Sequence, residues 1–292
     1  MPTTEILKRK IDTAQDLHSV VKTMKALSAV TIRQYEKAVA SLGGYDRTLQ
    51  MGLQILLKKS PQILLQKKRK FIKYVGLVVF GSDQGMCGQF NDRIAQYTLN
   101  QMESLDVKEI RLLTVGTRIR DRLAVAKIES EVCFSTPSSV EGITPVLQEI
   151  VVKLEQWRTV NHIEQILVFY NYLTSTATYH PNQNQIFPLS LTWLQDLKEK
   201  PWKTNNLPTF TLRAESLGSA LFRQYFFVSL YGACAESLAS ENASRLASMQ
   251  MAEKNIDERL GELQAELHHQ RQTIITEELL DIVAGFEALR ES

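Results

Sequence analysis

The chain of 292 residues carries a formal net charge of +2 and is 44% hydrophobic, which leaves room for one or two folded domains and excludes the disordered and fibrous classes. No run of about 18 apolar residues occurs, so no helix is expected to span a bilayer, and the near-neutral total argues against general nucleic-acid binding. Cys87, Cys133 and Cys234 are odd in number and form no C-x-x-C pair, so neither a disulfide framework nor a zinc site is expected.

The chain begins without the apolar core of a signal peptide and without the Arg- and Ser-rich leader of an organelle precursor. From Thr3, an N-cap candidate, apolar residues recur at helical spacing: Leu7, Ile11, Ala14, Leu17, Val21, Met24, Ile32, Tyr35, Val39, Leu42, Leu49, Leu53 and Leu56. No proline lies between Pro2 and Pro61, so residues 1–60 are predicted to form one long helix.

Residues 61–212 change character. A basic knot at Lys67, Lys68, Arg69 and Lys70 lacks interleaved aromatics and reads as a solvated turn. Residues 71–80 follow, nearly continuously apolar up to Gly81, the pattern of a strand buried on both faces. Gly81, Gly85 and Gly88 then lead into a helical pattern through Ile94, Tyr97, Thr98 and Met102. Strand, glycine-rich turn and helix is how mononucleotide-binding units begin, yet the spacing is neither G-x-G-x-x-G nor a phosphate loop with its Lys. A structural turn is the expectation.

The alternation continues with strands at 110–115, 127–134 and 163–172, helices at 117–124 and 143–157, and an edge strand at 176–189 cut by Pro181 and Pro188. Repeated βα units predict a doubly wound, Rossmann-like α/β domain of about five mainly parallel strands. Residues 191–212, with Pro201, Pro208 and Trp202, show no period and read as a link.

Residues 213–292 form the third segment. After Pro208 no proline remains, and Leu246, Met249, Ile256, Leu260, Leu263, Leu267, Ile274, Ile275, Leu279, Ile282, Phe286 and Leu289 return in helical steps. A helix over 217–289 would be roughly 110 Å long at about 1.5 Å per residue, and its narrow seam needs a partner helix. The N-terminal segment fits the part: residues 1–73 carry a net charge of about +10 and residues 213–292 about −6. The fold class expected is therefore a long antiparallel coiled coil of the chain's two ends with the α/β domain inserted between them. Residues 231–248 are crowded with Ala and Ser, which permits close backbone approach.

No chemistry emerges from this pattern. His18, His162, His180, His268 and His269 are dispersed, and the adjacent pair points about 100° apart on a helix, unlike an i, i+4 ligand pair. No G-x-S-x-G and no facing carboxylate pair appears. No catalytic residue, cofactor or metal is expected. The last turns, however, are apolar on more than one side at Leu279, Leu280, Ile282, Val283, Phe286 and Leu289, and should touch protein on several sides.

Phe226-Phe227-Val228-Ser229-Leu230-Tyr231, the stretch from Ala235 through Ser237-Leu238-Ala239-Ser240-Glu241-Asn242 to Leu246, and Arg271-Gln272-Thr273-Ile274-Ile275-Thr276-Glu277-Glu278-Leu279 together resemble the C-terminal signature of the γ subunit of F-type ATP synthases. Ser82-Asp83-Gln84-Gly85-Met86-Cys87-Gly88 looks like that family's turn, and Lys22-Thr23-Met24-Lys25 resembles its Lys-x-Met-Lys. The likeness covers essentially the whole chain in order.

The resemblance implies a non-catalytic central rotor. Its terminal helices would stand inside a ring of three α and three β subunits, and its α/β domain would sit with the ε subunit on the membrane c-ring, at the cytoplasmic face of a bacterial plasma membrane. Arg271 and Gln272 match the polar pair that grips a β-subunit loop, Met24 and Lys25 lie where the acidic lever of β meets the shaft, and Thr276, Glu277, Ile282 and Phe286 join them as partner-binding residues. Leu267-His268-His269, where the family more often has Tyr-Asn, and Ala26-Leu27-Ser28 depart from the pattern and point toward the alternate, second-copy bacterial branch. Two rival readings stand beside this one: a nucleotide-binding enzyme with a coiled-coil dimerisation arm, and a scaffold coiled coil.

Overall fold

The computed structural model describes residues 4–61, 72–175, 178–202 and 208–290; the basic knot lies outside them. The order of elements is α1 (Thr4–Lys59), β1 (Tyr74–Phe80), α2 (Phe90–Glu103), β2 (Glu109–Val115), α3 (Thr117–Val125), β3 (Val132–Phe134), α4 (Val140–Thr159), β4 (Gln165–Ser175), β5 (Thr178–Phe187), α5 (Leu191–Glu199) and α6 (Ala214–Arg290). Contacts divide the chain into two compact units, one of Ala29–Arg245 and one of Met1–Ser28 with Leu246–Ser292.

In the larger unit five strands form one sheet in the order β3-β2-β1-β4-β5. β1 pairs in parallel with β2 and β4, β3 pairs in parallel with β2, and β5 runs antiparallel along β4 as an edge. Strand β1 occupies the centre because both of its faces are apolar. Val75, Leu77 and Val79 pack with Ile94, Ile119 and Leu123 of α2 and α3, while Val78 and Phe80 pack with Ile143, Leu147, Ile150 and Trp157 of α4 and with Leu230 and Leu238 of α6. The period of two in a strand sends alternate residues to these two cores.

Two expectations change in this unit. The strand predicted over 127–134 is only Val132–Phe134, since Lys127 takes a positive φ of 62° and ends α3 in a turn. The link over 191–212 contains a helix, α5, whose Ser190 hydroxyl accepts from Trp193 N at 3.3 Å. Leu194 and Leu197 of α5 join Leu49, Leu53 and Leu57 of α1 and Val228 of α6 in a third core. Here α1 and α6 run antiparallel and close: a Cβ on Gly52 would lie 3.1 Å from Leu221, and one on Gly218 3.3 Å from Leu56.

The turn after β1 is built from close packing. A Cβ on Gly81 would lie 2.3 Å from Ile119 Cβ, and Gly116, at φ 112°, passes within 2.8 Å of the Ser82 backbone in the same sense, so only glycine fits. Ser82 N donates to Asn91 Oδ1 at 3.0 Å and Asn91 Nδ2 donates back to Ser82 Oγ at 2.8 Å. Asp83 ties three segments together. Its carboxylate accepts from Thr117 N at 2.8 Å, from Thr136 N at 2.6 Å and from Thr136 Oγ1 at 2.9 Å.

In the smaller unit the two chain ends pack on each other. Leu7 and Ile11 of α1 meet Leu263 and Leu267 of α6, His18 Nε2 lies 3.3 Å from Asp257 Oδ1, and Lys25 forms a short ion pair with Glu253. Residue numbers rise on one helix as they fall on the other, so this pair is antiparallel too. Leu17, assigned to the seam from its spacing, is instead 54% exposed.

Leu263→Ala should remove about 2–5 kcal/mol from the smaller unit, read as faster amide exchange across residues 4–28; unchanged exchange there would mean that the two helices do not support each other. Burial works against the Asp83 carboxylate, but the hydrogen bonds from Thr117 and Thr136 outweigh it and hold its pKa below the usual range. A lowered carboxylate contributes stability that is present at neutral pH and lost as pH falls through the lowered value. Asp83→Asn should therefore cost about 1–3 kcal/mol near neutrality, with a gap to wild type that narrows below about pH 4 in denaturant titrations. A gap independent of pH would rule out the ionised form as the tie.

Candidate partner-binding faces

Open α/β sheets bind ligands beyond the carboxyl ends of their strands, where the strand order reverses. In this sheet that place lies beyond the ends of β1 and β4. The chain fills it with its own helix. Ser240 Oγ of α6 donates to Asn171 O of β4 at 3.1 Å, and Ser244 Oγ donates to Cys87 O of the glycine-rich turn at 2.6 Å. The small residues expected to permit close approach do so here: Ala233, Ala235, Ala239 and Ala243 are buried. The N-terminus of α3, which could otherwise receive a phosphate, holds the carboxylate of Asp83. Glu241 and Arg245 are buried beside the turn, paired by Arg245 Nη2 to Glu241 Oε1 at 2.6 Å. Burial pushes the Glu241 carboxyl up, opposed by Arg245.

The partner-binding residues named from the sequence fall in two places in the smaller unit. Met24 and Lys25 are half-buried on α1. Lys25 is bound to Glu253, and that bond holds the Glu253 carboxyl below its ordinary range. Arg271, Gln272, Thr276, Glu277 and Ile282 are all exposed on α6. Thr276 Oγ1 donates to Gln272 O at 2.8 Å, inside the helix. Phe286 lies outside the residues whose side chains are described. Glu253 and Arg271 stand 18 residues apart on α6, roughly 27 Å at about 1.5 Å per residue, so the two groups of candidates are well separated.

Around the second region the helix surface is apolar on several sides. Ile275, Leu279, Leu280 and Ile282 are exposed, Ile282 by 70%, and no described residue packs over them as Leu7 and Ile11 pack over Leu263 and Leu267. Sequence reasoning missed a further apolar stripe on α1. Ile6, Leu17, Val20 and Leu27 are exposed there, and successive steps of 11, 3 and 7 residues keep them on one side of the helix. That spacing was legible, but it overlaps the seam pattern and was absorbed by it.

Among the described residues no helix is long and apolar enough to cross a membrane. A family model described as ATP synthase matches residues 3–289. The ATP synthase gamma chains of Polynucleobacter asymbioticus and Fusobacterium nucleatum are 25% and 26% identical to this chain, each comparison covering 99% of it and 100% of the relative. Among solved structures, a chain of the Euglena gracilis mitochondrial ATP synthase in rotational state 3 shares the fold with a TM-score of 0.64 at 18% identity, over 98% of this chain and 94% of that one. A chain from the central stalk and c-ring of the Tetrahymena thermophila mitochondrial ATP synthase gives 0.58 at 18% identity, over 80% and 99%. With a match that runs from residue 3 to residue 289 and relatives aligned end to end, the chain belongs to the ATP synthase gamma-chain family.

Proposed function

We propose that this chain is the central rotor of an F-type ATP synthase, a non-catalytic subunit that turns within a ring of three α and three β subunits and so couples ion flow to ATP synthesis or hydrolysis. The observation that carries the reading is the end of α6, where Ile275, Leu279, Leu280 and Ile282 are exposed to different sides. One partner helix covers one stripe. An apolar arc broader than one helix covers, interleaved with exposed Glu277, Glu278 and Asp281, is stabilised by a partner that reaches around it, and a ring does so.

Two unlike helices present a different face to each of three like neighbours. Turning the pair changes which neighbour is favoured in which conformation, so coupling needs only differential contacts and no shared active site. In this reading Arg271 and Gln272, with Thr276 and Glu277, grip a β-subunit loop, and Ile282 and Phe286 bear on the surrounding sleeve. Met24 and Lys25 meet an acidic lever of β, which competes with Glu253 for the Lys25 ammonium. The sheet unit engages the ε subunit and the c-ring, with the chain peripheral at the cytoplasmic face of a bacterial plasma membrane. The absence of a catalytic role is supported by the crevice beyond β1 and β4, which α6 occupies, with Asp83, Ser240 and Ser244 bound to Thr117 N, Asn171 O and Cys87 O.

Tagged chain, co-expressed with its cognate subunits, should bring down a three-plus-three ring with ATPase activity; a chain recovered without ring subunits would sink the rotor reading. In that complex, Arg271→Ala combined with Gln272→Ala should lower ATP-driven ion pumping several-fold while leaving the melting temperature of the free chain unchanged, because both side chains are exposed. Pumping equal to wild type would remove these two residues from the contact.

A further inference from the structure

The joint between α6 and the sheet carries buried polar atoms that no described residue satisfies. Ser237 Oγ, Glu241 Oε2, Arg245 Nε and Asn171 Oδ1 are buried with no hydrogen-bond partner among the described residues. Ser237 is 2% exposed and Glu241 5%. Ser237, Glu241 and Arg245 follow one another at intervals of four, so they share one side of the helix. Asn171 adjoins the same turns, since its carbonyl receives the Ser240 hydroxyl at 3.1 Å. The bonds that the ion pair does make lie within α6: Arg245 Nη2 donates to Glu241 Oε1 and Arg245 Nη1 to Asn242 Oδ1.

We infer that this joint is a hydration site, with at least one ordered water bridging Ser237 Oγ and Glu241 Oε2 and the site extending to Arg245 Nε. The donor and acceptor inventory selects the ligand. Ionised beside Arg245, Glu241 Oε2 accepts only, as does Asn171 Oδ1; Arg245 Nε can only donate, and the Ser237 hydroxyl does both. A metal cation would face the Arg245 guanidinium, and an inorganic anion would face the Glu241 carboxylate. Water offers two donors and two acceptors without charge in the smallest volume, and buried waters are found beside several such atoms. A dry joint would leave a carboxylate oxygen and a guanidinium N–H desolvated without compensation. The consequence concerns how α6 is held. Ser240 and Ser244 bind the sheet unit directly, whereas the turns at 237 and 241 are held through a molecule that can reorient with small shifts of the helix.

The test is a high-resolution structure of the full chain, or of the complex containing it, together with water relaxation dispersion that counts long-lived internal waters. The expected result is a density peak within about 3.2 Å of both Ser237 Oγ and Glu241 Oε2. The internal-water count should fall by at least one in a variant combining Ser237→Ala, Glu241→Met and Arg245→Leu, which removes the polar atoms while keeping the joint filled. No peak at that position, with the Ser237 hydroxyl donating directly to a protein oxygen, would overturn the inference, as would an unchanged count in a folded variant. Should the variant fail to fold, the wild-type density decides alone.

Discussion

An apolar stripe one or two residues wide cannot hold a helix of 56 or of 77 residues in water by itself. That constraint explains most of what the two chain ends do. In the smaller unit Leu7 and Ile11 are buried only because Leu263 and Leu267 lie opposite them, and in the larger unit Leu49, Leu53 and Leu57 depend in the same way on Val228 and α5. Each fully buried leucine contributes about 1.5–3 kcal/mol, so a handful of these contacts outweighs the exposed ion pairs nearby, which are worth about 0–1 kcal/mol each. The opposite charge of the two helices sets which partner and which register are chosen more than how firmly they hold.

The same constraint decides how the sheet is used. In other doubly wound folds the crevice at the reversal of strand order remains open for a ligand. In this chain α6 must bury its small-residue stretch somewhere, and the crevice is where Ser240 and Ser244 find carbonyl partners. Asp83 then occupies the helix N-terminus that a phosphate would want. A fold used elsewhere to hold a small molecule holds a helix here, and Gly81 and Gly116 serve close packing, since a Cβ on either would lie 2.3–2.8 Å from its neighbours.

How legible this was depended on how many residues carried each signal. Strand β1 could be read directly, because a seven-residue strand buried over six positions leaves no polar phase to confuse. Helix α5 could not, because nine residues with two buried leucines between prolines give no measurable period. Strand β3 is shorter than its sequence suggests because Lys127 and its neighbours have an extended pattern, while their turn depends on a positive φ that a lysine seldom adopts. Leu17 has the spacing of a seam residue yet is exposed, because helical spacing fixes a face only to within one position either side. The burial of Glu241 and Arg245 was invisible for a different reason. An acidic and a basic residue four apart on a helix ordinarily mark a solvated face, and only the depth at which α6 enters the crevice converts that pair into a buried one.

The two candidate contact regions differ in what a partner would have to do, and the difference follows from their chemistry. At Arg271 and Gln272 the side chains are exposed and bond to no other described residue, so an incoming loop gains whatever hydrogen bonds it forms. At Lys25 the ammonium already has a carboxylate, and an incoming acid gains only the difference between itself and Glu253. The first region is suited to a persistent grip and the second to a contact exchanged at little net cost. A rotor requires both kinds: surfaces that hold while force is applied, and surfaces whose partners can change as it turns without a deep minimum to stop it.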